Sequence, residues 1–557
     1  MKAPSLLSTY IPKSLVGFSR GLVALSLVGS LTLGTSQAQA ADGTWIQNAS
    51  GNWNNATTGP WLNDIVASGA NSNAFFNTID LTANATVTLT ENFTIGNLYF
   101  GDTGTSTLFN WTLSRTGSAA LTLQTSSGAP TISTATGTTT INAALAGTQG
   151  FTKTGSGTLV LSGTNSLTGG ITVNAGTLDI RTTGSIGSNS ISLAAGTILD
   201  AANSATGSSI TISGNITGDG RINKTSSTST LVLTGNNSFT GGTTLGAGII
   251  AVGSGLNNGI GSGTLTLNGG ALISTDNTAR TFINAIALGS NNLRLGGIQG
   301  ESTNLGNLNF TWNGTTTIGG SKDLTVNNNT RVTFANSWTG NNNVVITKRG
   351  TGTLVFDGNM TGSTSVGVTV SAGTLILNGS KTTSGAVTVE TGGTLGGNSP
   401  SMAGVFTLNT GGAISPGDGG IGTLTATNLT WNGETSGAFA QMKFELGNVP
   451  NLGIAATSDK LSLGTGILTK GSGTTFTFDF LGTGATGDTY TLLTFGSTTF
   501  SASDFSYTNL AGGLTGTFSL EANSLLFTVV PEPSTYALLA VGLMAVVFFR
   551  RKKSSAL

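Results

Sequence analysis

Residues 153–180 read KTGSGTLVLSGTNSLTGGITVNAGTLDI, and the pattern returns twice. Residues 224–252 read KTSSTSTLVLTGNNSFTGGTTLGAGIIAV, and residues 348–377 read KRGTGTLVFDGNMTGSTSVGVTVSAGTLIL. Each copy holds a lysine, a Gly/Ser turn, a TLVL-type strand, a polar Gly-rich turn, a TV-type strand, an Ala-Gly turn and a third strand. Weaker copies lie between them: ITISGNITGDG at 210–220, GTLTLNGGALIS at 263–274 and VTVETGGTLGG at 387–397. In Thr158-Leu159-Val160-Leu161 the two leucines share one face, and a period of two is a strand signal. Thr, Val and Ile suit a pleated surface. Gly-Gly, Asn-Gly and Ala-Gly, which tolerate positive φ, punctuate the strands every few residues. One such unit cannot bury its inner face alone, whereas stacked units bury a continuous core. The expected fold is all-β, a parallel β-helix (solenoid) over 80–440. At ~4.8 Å per coil and roughly 20 residues per coil, this gives about 18 coils and a rod of about 85 Å. A β-sandwich array would need longer strands and visible linkers.

Stacking accounts for the composition. The chain has 557 residues, 85 of them Gly, and only 8% are charged. Thr ladders hydrogen-bond along a stack and Asn suits its tight turns, whereas like charges at coil spacing repel. Lys153, Lys224 and Lys348 open the repeats, and they read as solvated side chains that limit edge association. Trp45, Trp53 and Trp61, with Phe75 and Phe76, read as a closing plug for the core in an N-terminal cap over 41–79, rather than as a sugar-stacking surface. Residues 441–530 have longer apolar strands and read as a small β-rich C-terminal domain.

Both ends read as targeting segments. Lys2, Lys13 and Arg20 precede an apolar run at 21–34, and Ala38-Gln39-Ala40 is a small-residue cleavage site. Residues 1–40 are therefore expected to be a signal peptide, with the mature chain starting at Ala41. At the other end, Pro531-Glu532-Pro533 precedes an apolar run from Thr535 to Phe549 that is expected to form a single C-terminal transmembrane helix. Arg550, Arg551, Lys552 and Lys553 close it and should stay cytoplasmic. These end segments hold seven of the 22 cations and one of the 22 anions, so the body carries six more anions than cations. It lacks the basic footprint that nucleic-acid binding needs.

Two resemblances follow from these residues. The units at 153–180, 224–252 and 348–377 resemble the passenger-associated transport repeat, also called the autotransporter-associated β-strand repeat. WIQNASGNWNNATTGPW at 45–61 and GGAISPGDGGIGTLTATNLTWNG at 411–433 resemble the usual opening and close of such proteins. This resemblance implies a right-handed β-helix and says little about biochemistry. Residues 531–557 resemble the PEP-CTERM sorting signal of Gram-negative bacteria. That resemblance implies processing near Pro531-Glu532-Pro533 by an exosortase-type membrane enzyme, together with an association with exopolysaccharide.

The residues argue against chemistry. With no Cys and no His, there is no Cys nucleophile, zinc-thiolate site, Ser-His-Asp triad or His metal ligand. A β-helical lyase or glycosidase needs paired carboxylates or a carboxylate-bound cation, and no two acidic residues lie closer than Asp479 and Asp488. Asp219 and Asp418 read as turn residues. Asp80, Glu91 and Asp102, spaced by eleven, are the one possible acidic stripe. Gly155-Ser156-Gly157 opens no helix and makes no phosphate loop. No catalytic residue, cofactor or metal is expected. The reading is an exported, non-enzymatic surface or matrix protein, an adhesin or a biofilm or exopolysaccharide scaffold. A polysaccharide-degrading enzyme is the alternative.

Overall fold

The computed structural model describes residues 40–531 and 541–547, apart from 55–58, 183–185, 203–206, 227, 254–258, 290, 299–307, 311–315, 328–329, 341–342, 363–364, 436–438, 440, 448–456, 483 and 513. Residues from Ala40 onward form one compact unit. It is a parallel β-solenoid of about 15 turns. The repeat is longer than the coil it builds. Thr158–Leu161 pairs in parallel with Thr177–Ile180 of the same repeat, with Leu159 opposite Leu178 and Leu161 opposite Ile180. Thr230–Leu233 pairs likewise with Ile249–Val252, and Thr353–Phe356 with Thr374–Leu377. Each repeat thus turns once and lays its last strand on its own TLVL strand. The coils are not uniform. Thr177 stands opposite Ile198 and Ala287 opposite Thr317, and such longer coils make the turns fewer than a uniform length of 20 would.

The core is a set of aliphatic columns. Leu159, Leu178, Leu199 and Ile222 follow one another on four successive rungs, all buried. Each such side chain removes apolar surface worth ~1.5–3 kcal/mol from water. Outward threonines stack, as with Thr138, Thr158 and Thr177. Corner asparagines serve the next coil: Asn84 Oδ1 accepts from the Asn110 N–H at 2.9 Å, and Asn110 Oδ1 from the Thr138 N–H at 2.8 Å.

Both ends of the stack are closed. Trp45, Trp53 and Trp61 are fully buried around Phe76, and each indole N–H donates to a backbone carbonyl: Gln47, Ala67 and Trp53 respectively. At the far end, Ser524–Pro531 runs antiparallel to both Leu514–Leu520 and Thr489–Thr494. This reversal breaks the parallel ladder, a way of blunting an open edge.

Two expectations change here. Residues 441–530 do not stand apart as a small domain: Met442–Leu446 adds in parallel to Ala413–Pro416, and Phe476–Gly482 adds to Met442–Leu446, so the stack continues through them. The C-terminal transmembrane helix is not found either. Residues 541–547 are helical, but among the described residues no helix is long and apolar enough to cross a membrane. The rest of that apolar run lies outside the described residues.

Candidate functional site

The repeat lysines do not face solvent. Phe151–Thr154, Arg221–Lys224 and Val344–Arg349 alternate, and Lys153, Lys224 and Lys348 fall on the inward parity with Phe151, Ile222 and Ile346. All three are fully buried. The Lys153 ammonium donates to the carbonyls of Thr154 (3.1 Å), Gly155 (2.9 Å) and Ala175 (3.0 Å). Lys348 repeats this with Arg349 (2.8 Å), Gly350 (2.7 Å) and Ala372 (3.0 Å). Lys224 donates to the Ser226 carbonyl. Lys381, which sequence reasoning passed over, donates to Thr383, Gly385 and Ala403. In the three-carbonyl cradles, two carbonyls come from the lysine's own turn and the third from the coil that follows, so each ammonium staples adjacent turns. Burial pushes these four lysines down to about 8. The Ala-Gly turn serves the same contact. Gly176 has φ +69°, and a Cβ there would lie 2.4 Å from the Gly157 carbonyl oxygen. The lysine and the Ala-Gly pair are one structural device.

The acidic residues are mostly engaged by the fold. Against the desolvation of burial, backbone N–H groups of Phe109, Gly104 and Leu81 hold the Asp102 carboxyl below its usual range. Asp80 and Asp102 both flank Gly104. Asp219 accepts from Thr240 at 2.7 Å. Stacking creates one pair that linear spacing hid: Asp179 stands opposite Asp200 on the next coil. Burial and the Asp179 charge raise the Asp200 carboxyl. The Asp179 oxygens accept from Arg181 (2.9 Å) and the Ala202 N–H (3.2 Å). Among the described residues no group of three or more acidic side chains could hold a metal ion.

A recess lies on the outer face of the sheet formed by Gly373–Leu377, Gly393–Gly397, Ala413–Pro416, Met442–Leu446 and Phe476–Gly482. It is a groove of about 320 Å³, lined by Thr374, Thr394, Ser415, Lys443, Glu445 and Leu481. Residues 417–420 form its wall. Asp459 also lines it, and its oxygens accept from the backbone N–H groups of Gly422 (2.7 Å) and Glu445 (2.8 Å). Burial pushes this carboxyl up to about 6 against those two donors, and the Glu445 charge adds to the rise. The Phe439 ring, 43% exposed, sits 5.9 Å from the Lys443 ammonium.

Of the predicted sorting and cleavage residues, Pro531 closes the last strand opposite Leu514, and Ala41 exchanges two backbone hydrogen bonds with Ser68. Ala40 is exposed. Ala38, Glu532, Pro533, Arg550, Arg551, Lys552 and Lys553 lie outside the described residues.

Comparison with known proteins agrees with the two sequence resemblances. The passenger-associated-transport-repeat family model matches residues 151–180, 226–252, 346–375 and 370–396. The PEP-CTERM protein-sorting motif matches residues 529–552. Among curated proteins, the adhesin BmaC autotransporter of Brucella suis biovar 1 (strain 1330) is 32% identical over 210 residues, which are 35% of this chain and 6% of that protein. Among solved structures, the Hap adhesin of Haemophilus influenzae aligns over 85% of this chain and 65% of that one, with 13% identity. The TM-score is 0.29, too low for that overlay to bear on this chain. The chain thus carries passenger-associated transport repeats at 151–180, 226–252 and 346–396, followed by a PEP-CTERM protein-sorting motif at 529–552.

Proposed function

We propose that this protein is an exported, non-enzymatic rod that is displayed at the surface of a Gram-negative cell or in its matrix. There it acts as an adhesin or as a biofilm or exopolysaccharide scaffold. The observation that carries this reading is the union of one stiff, closed solenoid with a sorting motif immediately after its last strand. Residues 1–40 direct export and are removed before Ala41. Residues 41–79 cap the rod, the coils after 80 extend it in a right-handed sense, and 531–557 form the sorting segment. An exosortase-type enzyme recognises that segment and cuts near Pro531-Glu532-Pro533. A stack of about 15 turns at ~4.8 Å each places the far end about 70 Å away. The relative named as an adhesin supports this display role. The fold's engagement of Asp102, held by three backbone N–H groups, and of Asp179, whose oxygens accept from Arg181 and the Ala202 N–H, weighs against an enzyme.

Two measurements test the reading. Mass spectrometry of the surface-released protein should show a chain that starts at Ala41 and lacks everything beyond about 531, and an intact basic end would refute processing. Incubation of the purified protein with a panel of polysaccharides should release no new reducing or unsaturated ends. Turnover abolished by Asp200→Asn would establish the enzymatic alternative at the stacked Asp179–Asp200 pair.

A further inference from the structure

The turn PGDGGIG at 416–422 does not close tightly. Gly397 and Gly417 exchange two backbone hydrogen bonds (2.7 and 2.8 Å), and Gly417 and Gly419 take φ values of +91° and +83°. These left-handed values favour glycine. Asp418 then reaches Arg331 at 2.6 Å and Asn378 at 3.3 Å. Arg331 lies four rungs back, through Thr353, Thr374 and Thr394 to Ala413. The turn therefore lies along the stack as a strap. Its other end is fixed by Gly422, whose N–H donates to Asp459 and whose carbonyl accepts from Lys460 at 2.9 Å. Strap and sheet face enclose the groove. Among the described residues, the side chains of Thr374, Thr394, Ser415 and Glu445 have no hydrogen-bond partner.

We propose that this strapped groove binds an extended neutral oligosaccharide, which rests on the surface-display reading above. Thr374 and Thr394 stack their hydroxyls on adjacent rungs ~4.8 Å apart, about the length of one hexose ring in an extended chain, and Ser415 lies one rung on and two residues along, opposite Gly396. The Glu445 carboxylate and the Lys443 ammonium offer an acceptor and a donor for neighbouring sugar hydroxyls, as charge-assisted hydrogen bonds. Leu481, on the groove wall, supplies apolar surface for the C–H face of a ring. A peptide strand fits less well, because the floor is a sheet face whose backbone groups are already paired in the ladders and it offers no edge to extend. Asp459 is a positioning residue that pins strap and floor together.

The test is saturation-transfer NMR on the purified exported protein with three linear hexasaccharides of glucose: cellohexaose, maltohexaose and laminarihexaose. Transfer to at least one of them is expected. It should fall about tenfold in Glu445→Gln, the scale of one charge-assisted hydrogen bond, and also in Asp418→Ala, which unclasps the strap. Glu390→Gln, outside the groove, should leave it unchanged, and circular dichroism should show all variants folded. No transfer to any of the three, or equal transfer in Glu445→Gln and the parent, would overturn the assignment. Transfer to an extended Ser/Gly peptide in place of the sugars would also overturn it. Attachment assays on cells that display the same variants separate the two readings. Attachment without any transfer sinks the groove alone. Transfer without any role in attachment or matrix formation sinks the surface reading alone.

Discussion

Lys348→Met should loosen the coils around residue 348 by about 3 kcal/mol. Methionine matches the length and volume of the lysine stem, so the core stays filled. What it removes is the donor for three buried carbonyls, those of Arg349, Gly350 and Ala372. An unsatisfied buried acceptor costs ~1–3 kcal/mol, and bonds to a charged donor lie at the upper end. Coils contact only their neighbours, so the loss should stay local. Hydrogen exchange should speed up by about a hundredfold in Thr353–Phe356 and Thr374–Leu377, while strands beyond Phe476–Gly482 keep their protection. Unchanged exchange in those two strands would mean that the cradle contributes nothing. The same lysines set a pH dependence. Burial holds four of them at about 8, against ~10.4 in an unfolded chain. Between those values the unfolded chain binds more protons than the folded one, so stability rises with pH across that window. This contribution is complete above the unfolded value and disappears as pH falls through about 8. Thermal melts from pH 7 to 10 should show the rise, and it should shrink in Lys348→Met.

The lysine cradle also marks what was legible in the sequence. Alternation in Thr158-Leu159-Val160-Leu161 led directly to the strand, its inward face and the stacked fold. The same alternation placed Lys153 inward with Phe151 and Lys348 inward with Ile346. The general preference of charge for solvent overrode that parity, and only stacked carbonyls in three dimensions resolve the conflict. The Ala-Gly turn one coil later was the available clue, since it recurs wherever the lysine does. The Asp179–Asp200 pair and the strap were not legible. Both depend on coil length, which ranges from 19 residues at Thr158–Thr177 to 39 at Leu429–Leu468 and leaves no fixed offset for predicting cross-coil neighbours. The closing tryptophans were legible because three large apolar rings before the first repeat have no coil of their own to fill.

Those tryptophans carry the other large expected effect. Trp61→Ala should cost about 3–5 kcal/mol and make the rod associate end to end. Trp61 is 1% exposed and packs edge-on to both Trp45 and Trp53 at 5.3 Å. Its backbone also bridges Trp45. Phe76, wedged against all three, stacks on Phe100 at 4.9 Å and 8° and so couples the plug to the first rungs. Removing the ring opens a cavity and leaves the Trp53 carbonyl, now 2.7 Å from the indole N–H, without its donor. Melting the plug then bares the ladder edge of Gly69–Phe76 and Phe93–Phe100, which is a template for another chain. Sedimentation velocity should show larger species for Trp61→Ala that grow with concentration. Trp338→Ala is the control that separates edge exposure from lost packing. Trp338 is equally buried, 4.6 Å from Phe334 and 4.4 Å from Phe356, but it has paired coils on both sides. It should lose comparable stability without associating. If both variants associate alike, or neither does, the N-terminal tryptophans are ordinary core and not a cap.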